Sequence, residues 1–184
     1  MLERVLSLLA GRTPTLGPAR LLAVDGPGGS GKTTLAAAVA AATGADVVHM
    51  DDLYDGWTGL DTVSAQLRTL LEPLSAGRPG RYRRYDWHAH AFAETVDVAV
   101  PASGLLVVEG VGSGSPSVAH LTTALVWVEA PRDLRLRRGI DRDGEALRAQ
   151  WHAWQDAEDA HLARHRTRER ADLVVDGAAG VSPE

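Results

Sequence analysis

Five short apolar runs punctuate the chain, at residues 21–25 (LLAVD), 46–50 (DVVHM), 104–109 (GLLVVE), 124–130 (ALVWVEA) and 172–176 (DLVVD). None shows the strict alternation of a half-exposed strand, so each reads as a strand covered on both faces. Helical patterns lie between them. Residues 32–43 (KTTLAAAVAAAT) are Ala-rich and stop at Gly44, a good helix followed by a good terminator. Residues 60–75 place Leu60, Val63, Leu67, Leu70, Leu71 and Leu74 on one stripe. Pro131 is placed to open a helix through Leu134, Leu136 and Ile140, and residues 144 to about 166 read as a longer helix. Residues 76–92 are polar, basic and aromatic with no clear period, and a loose tail is expected after residue 176. This alternation predicts a three-layer α/β fold with about five mainly parallel strands. No repeat, linker or low-complexity stretch is found, so residues 1–184 are expected to form one domain, with a lid segment at about 131–145.

Composition narrows the class. A chain of 184 residues, 45% hydrophobic and 23% charged, has the length and balance of one globular domain with a sizeable core. No apolar run approaches the roughly 18–20 residues of a membrane span. The first residues (MLERVLSLLAGR) lack the long apolar stretch of a signal peptide, so a cytoplasmic location is expected. The absence of cysteine excludes disulfides, thiolate metal sites and cysteine nucleophiles. A net charge of −5 argues against bulk nucleic-acid binding. Of 19 basic residues, 18 are arginine and one is lysine, Lys32; there is no asparagine.

The lone lysine falls in residues 26–33 (GPGGSGKT), which satisfy the Walker A pattern G-x-x-x-x-G-K-[ST] with an apolar strand before and a helix after. Gly26, Gly28, Gly29 and Gly31 allow successive N–H groups to turn toward one anion. The helix that follows adds its positive end. Ser30 and Thr34 belong to the same cradle. Lys32 suits the β and γ phosphates of ATP and the Thr33 hydroxyl suits Mg²⁺. An ammonium is used there as a point charge, which arginine's planar fork matches poorly. The guanine-reading N-K-x-D pattern is excluded, because the chain has no asparagine and no second lysine.

In an open parallel sheet, ligands bind beyond the carboxyl ends of strands. Acids stand there at Asp25, at Asp51 and Asp52, and at Glu109. Asp51 is suited to take a proton from a substrate hydroxyl and Glu109 to hold Mg²⁺ through water, and Asp52 could share either role. Arg135, Arg138 and Arg142 lie at i, i+3 and i+7 and share a helix face. Beside a phosphate site such a face would stabilise the charge on a transferred group.

Tyr82, Tyr85, Trp87, His88, His90 and Phe92 crowd into eleven residues beside three arginines. Two readings stay open, an aromatic wall for a planar or sugar-like ligand and a hairpin packed for stability. Trp151, Trp154 and Glu158 follow at helical spacing, and core or lid packing is favoured over base stacking for the tryptophans. Trp57 is open between ligand contact and packing. His161 and His165 have a metal-binding spacing but no third ligand, and are read as surface histidines.

In order along residues 20–143, the segments GPGGSGKTT, HMDDLY, RYDWHAH, LLVVEG and RLRRGIDRD resemble the uridine kinase and phosphoribulokinase group of P-loop kinases. The resemblance implies Asp51 as base and ribose contact, with Tyr54 as its aromatic neighbour. It places Tyr85, Asp86 and His90 along a nucleoside pocket and makes Arg135, Arg138 and Arg142 the lid arginines. Lys32, Asp51 and Arg138 would be catalytic, with Arg138 also reaching substrate. The expected activity is Mg²⁺- and ATP-dependent phosphorylation of a hydroxyl on a uridine- or cytidine-like nucleoside or a related metabolite. A nucleotide or non-nucleoside alcohol as acceptor, and a non-catalytic nucleotide-binding accessory protein, are the alternatives. The chain departs from the pattern at Leu53, where the group has Phe, at the second acid Asp52, and in the segment DGWTGLD. It is also shorter than typical uridine kinases. These departures bear on the acceptor. A small-molecule partner is expected, with neither nucleic acid nor membrane. Members of the group are often homo-oligomers, although no self-complementary surface is legible here.

Overall fold

A five-stranded parallel sheet runs in the order β2 (Asp46–His49), β5 (Leu105–Glu109), β1 (Arg20–Asp25), β6 (Ala124–Glu129) and β7 (Leu173–Asp176). The computed structural model describes residues 1–179. All five expected strands are present within a residue or two of their expected limits.

Side chains leave a strand alternately to opposite faces, and here both faces are covered. Leu22, Val24, Val107, Val126 and Val128 cluster with Val5 and Leu9 of α1 (Leu2–Ala10) and with Leu35 and Val39 of α2 (Lys32–Thr43). Leu21, Leu106, Val108 and Trp127 cluster with Leu67, Leu70, Leu71 and Leu74 of α3 (Val63–Ser75) and, farther along, Trp151, Trp154 and Leu162. Removing one of these side chains, as in Leu70→Ala, costs about 2–5 kcal/mol. The two clusters are the two interfaces of a three-layer sandwich.

Several elements differ from the sequence expectation. The nine-residue helix α1 is absent from the sequence expectation, although Leu2, Val5, Leu6 and Leu9 stand at helical spacing and turn one apolar stripe to the core. Residues 76–92 contain most of an antiparallel hairpin, β3 (Gly80–Asp86) with β4 (Ala91–Val98). The pairing shifts register between Arg83 and Tyr85, which breaks the alternation and explains why no period was visible. The hairpin lies directly on α3: a Cβ on Gly80 would fall 1.9 Å from the Leu70 carbonyl oxygen. The helix expected from residue 60 begins at Val63, after a 3₁₀ segment at Gly56–Asp61. The lid region is α4 (Arg132–Asp143), and a 3₁₀ turn (Glu145–Leu147) separates it from α5 (Arg148–His165). Part of the tail expected to be loose, residues 180–184, lies outside the described residues. Among the described residues no helix is long and apolar enough to cross a membrane.

Candidate active site

At the carboxyl end of β1 the chain turns sharply. Gly26 has φ 135°, and a Cβ there would lie 2.0 Å from the Val128 carbonyl oxygen. Asp25, wholly buried, accepts N–H groups from Gly26 at 2.7 Å, Gly112 at 3.0 Å and Gly114 at 2.9 Å. Burial raises its pKa, while the three amides and the Lys32 charge pull it back. One carboxylate thereby ties the start of the phosphate loop to the loop that follows β5. The Lys32 ammonium folds back onto the Pro27 carbonyl at 2.9 Å. Gly28, Gly29, Gly31, Lys32, Thr33 and Thr34 line one wall of a cleft of about 640 Å³.

The strand-end acids face the same cleft. Thr33 Oγ1 donates to Glu109 Oε1 at 3.1 Å, and His49 Nδ1 meets the same oxygen at 2.6 Å. That bond is the main reason the His49 pKa is raised. Thr33 and Glu109 together present hard oxygen donors, a set suited to Mg²⁺. The Asp51 side chain opens onto the cleft, although surrounding protein desolvates it enough to raise its pKa. Glu109 adds to that rise, while Lys32, Arg142 and His49 oppose it. Asp52 does not line the cleft; Tyr82 and Arg84 are among its neighbours. The geometry therefore separates two adjacent acids, of which the resemblance favours Asp51.

The other wall is aromatic. Tyr54 is buried and donates its hydroxyl to the Val111 carbonyl at 2.7 Å. Trp57 is a hub, with ring centroids 5.6 Å from Trp87, 5.9 Å from Trp151 and 6.0 Å from Trp154, all edge-on. These four indoles line the cleft with His88 and His90. Of the residues placed in the nucleoside pocket by resemblance, His90 lines the cleft and Tyr85 and Asp86 do not. Tyr85 is packed between Trp87 and Phe92, and Asp86 caps the hairpin turn by accepting the His88 and Ala89 amides. Trp87, open from sequence between ligand wall and packing, lines the cleft, and Trp151 and Trp154 are packed in the core as expected while also lining it.

The three arginines of α4 divide. Arg138 donates to the Gly29 carbonyl at 3.2 Å and the Gly177 carbonyl at 3.1 Å, over the phosphate loop. Arg142 lies over the Trp151 ring at 5.6 Å and pairs with Asp143. Both line the cleft. Arg135 does not: it is 5% exposed, and its guanidinium bonds Glu158 at 2.5 Å and the Ala130 carbonyl at 3.0 Å. A shared helix face does not mean a shared surroundings, because the first turns of α4 rest on the loop while its far end overhangs the cleft. His161 corrects another expectation. It is 4% exposed, beside His165 at 4.1 Å between centroids, and lines a second cavity of about 300 Å³. Burial lowers its pKa to about 4.

No protein-family model matches the chain, and no curated protein matches its sequence. Solved structures do match. A possible uridine kinase from Bacillus stearothermophilus superposes with a TM-score of 0.66 at 22% identity, covering 95% of this chain and 97% of that one. A protein proposed to be a fructose transport system kinase, from Silicibacter sp. TM1040, superposes with a TM-score of 0.63 at 20% identity, covering 95% and 96%. At such identities the likeness speaks for the fold. The chain has the α/β fold of the P-loop kinases, over nearly its whole length.

Proposed function

We propose that this protein is a Mg²⁺- and ATP-dependent small-molecule kinase that moves the γ-phosphoryl group to a hydroxyl of a nucleoside or related sugar-bearing metabolite. The observation that carries the reading is the convergence of Lys32, Thr33, Asp51 and Glu109 on one cleft. Phosphoryl transfer needs mainly positioning and charge neutralisation, and these side chains provide both.

In this reading Asp51 accepts the proton of the acceptor hydroxyl. The freed oxygen bonds to the γ-phosphorus, and the bond from that phosphorus to the β–γ bridging oxygen breaks, releasing ADP. The raised pKa of Asp51 brings it closer to neutrality, which suits a general base. Thr33 and Glu109 would hold Mg²⁺, which supplies charge neutralisation on the phosphates when bound. Lys32, Arg138 and Arg142 add positive charge from the loop and lid sides. The indole-lined wall gives a planar or sugar-like acceptor a surface to rest on and keeps competing water out. The likeness to a possible uridine kinase supports a nucleoside, and the likeness to a proposed fructose transport kinase supports a sugar.

Coupled ADP release tests the proposal, with Mg-ATP held fixed and nucleosides, nucleotides, sugars and simple alcohols offered in turn. A nucleoside or sugar that raises ADP release well above hydrolysis supports it. No response to any acceptor contradicts it.

A further inference from the structure

We propose that Glu158 is a positioning residue for the phosphate loop, holding the Gly28 amide and the lid helix α4 in the arrangement that nucleotide phosphates require. The proposal rests on the functional reading above. Glu158 lies on α5 and is 0% exposed. Its two oxygens serve two different elements. Oε2 accepts the Gly28 N–H at 2.7 Å, and Oε1 accepts Arg135 Nη1 at 2.5 Å. Arg135 is fixed in turn by donating Nε to the Ala130 carbonyl at 3.0 Å. One carboxylate therefore joins the phosphate loop, α4 and α5.

The contact is close on both sides of the loop. A Cβ on Gly28 would lie 3.2 Å from Glu158 Oε2, from Trp151 and from Trp154 Nε1. A Cβ on Gly29 would lie 2.6 Å from the Arg135 carbonyl oxygen. The loop is thus clamped between the backbone of α4 and the side chains of α5. Of the loop amides Glu158 engages that of Gly28 alone, and among the described residues the Gly29 and Gly31 amides have no protein acceptor. A buried carboxylate beside an anion-binding loop is unfavourable unless it is neutralised, and Arg135 neutralises it. The pair lets a carboxylate orient one amide without setting a net negative charge against the phosphates.

A buried ion pair that is only structural can be replaced by uncharged side chains of similar volume. Two double variants separate that case from positioning. Arg135→Met with Glu158→Gln leaves an acceptor oxygen for the Gly28 N–H, and Arg135→Met with Glu158→Leu removes it. Neither leaves a buried charge unpaired. Mg-ATP affinity is measured by titration calorimetry, and exchange of the Gly28 amide is followed by NMR without nucleotide. The Gln variant is expected to bind Mg-ATP at least tenfold more tightly than the Leu variant and to protect the Gly28 amide better, with thermal unfolding alike. If the Leu variant does not fold, Arg135→Met with Glu158→Met replaces it, Met being more adaptable in a core. Equal affinities in the two variants overturn the role of Glu158 while leaving the proposed function standing. Failure of the unmodified protein to bind Mg-ATP overturns that function, and this role with it.

Discussion

The Trp87 indole N–H donates to the backbone carbonyl of Asp51 at 3.0 Å. The tip of the β3–β4 hairpin is thereby fastened to the residue proposed as base. Trp87→Phe keeps an aromatic ring but loses the bond, worth about 1 kcal/mol. The acceptor KM is expected to rise roughly three- to tenfold, with Mg-ATP affinity changed less than about twofold. Steady-state kinetics with each substrate varied in turn checks this.

Lys32 is the chain's only lysine, so no neighbouring ammonium can take its place. Lys32→Ala is expected to lower kcat/KM by at least about a hundredfold, the scale of losing one preorganised charge at a reacting oxyanion. Thermal unfolding should stay near that of the unmodified protein, since among the described residues the ammonium's one bond is to the Pro27 carbonyl of its own loop.

Desolvation raises the Asp51 pKa above its usual value of 3.8. Its working form is the carboxylate, so activity falls as pH drops through the raised value. The acid limb of kcat is expected above that of an ordinary aspartate. Asp51→Asn should lower kcat by about 10²–10⁴, the usual worth of a general base, while sparing Mg-ATP binding. Asp52→Asn should keep both the limb and most of the rate, because Asp52 faces Tyr82 and Arg84 rather than the cleft. A pH–rate profile of the three proteins is the measurement.

His161 links stability to pH. Its pKa falls from 6.5 to about 4 on folding, mainly through burial, with the nearby His165 and Arg164 charges lowering it and Asp61, 3.7 Å away, opposing them. A group whose folded pKa is depressed binds protons more readily when unfolded, so stability is lost as pH falls from about 6.5 towards 4. The loss from this residue by pH 4.5 is about 2–3 kcal/mol. His161→Leu should reduce the difference in unfolding free energy between pH 7 and pH 4.5 by about that amount, measured by urea denaturation at both values.

The sheet was legible because its strands are continuous apolar runs, a signal that needs no partner to be read. The phosphate loop was legible for the same reason: its chemistry is local. Asp51 and Glu109 were found by the rule that sites gather at strand ends. Other features depend on pairings that spacing does not encode. Trp87 meets Asp51 across 36 positions and Glu158 meets Gly28 across 130, so neither has a local signature. Arg135 shares a helix face with Arg142, yet only the packing of the first turns of α4 on the loop turns it towards Glu158. His161 looked exposed because the one buried stripe of α5, formed by Trp151, Trp154, Gln155, Glu158, His161 and Leu162, is half polar and so gives little amphipathic pattern. The hairpin is one of two readings open from sequence, and the change of register between Arg83 and Tyr85 removed the period that would have favoured it.

The most direct test of the central claim follows the phosphoryl group itself. ATP labelled at its γ-phosphate is incubated with Mg²⁺, the protein and the acceptor that gives the largest ADP release, and the products are resolved by mass spectrometry. Label is expected on an acceptor hydroxyl in proportion to ADP formed, with loss of that product in Asp51→Asn under saturating Mg-ATP. Label appearing solely as inorganic phosphate, or undiminished transfer by Asp51→Asn, would contradict it.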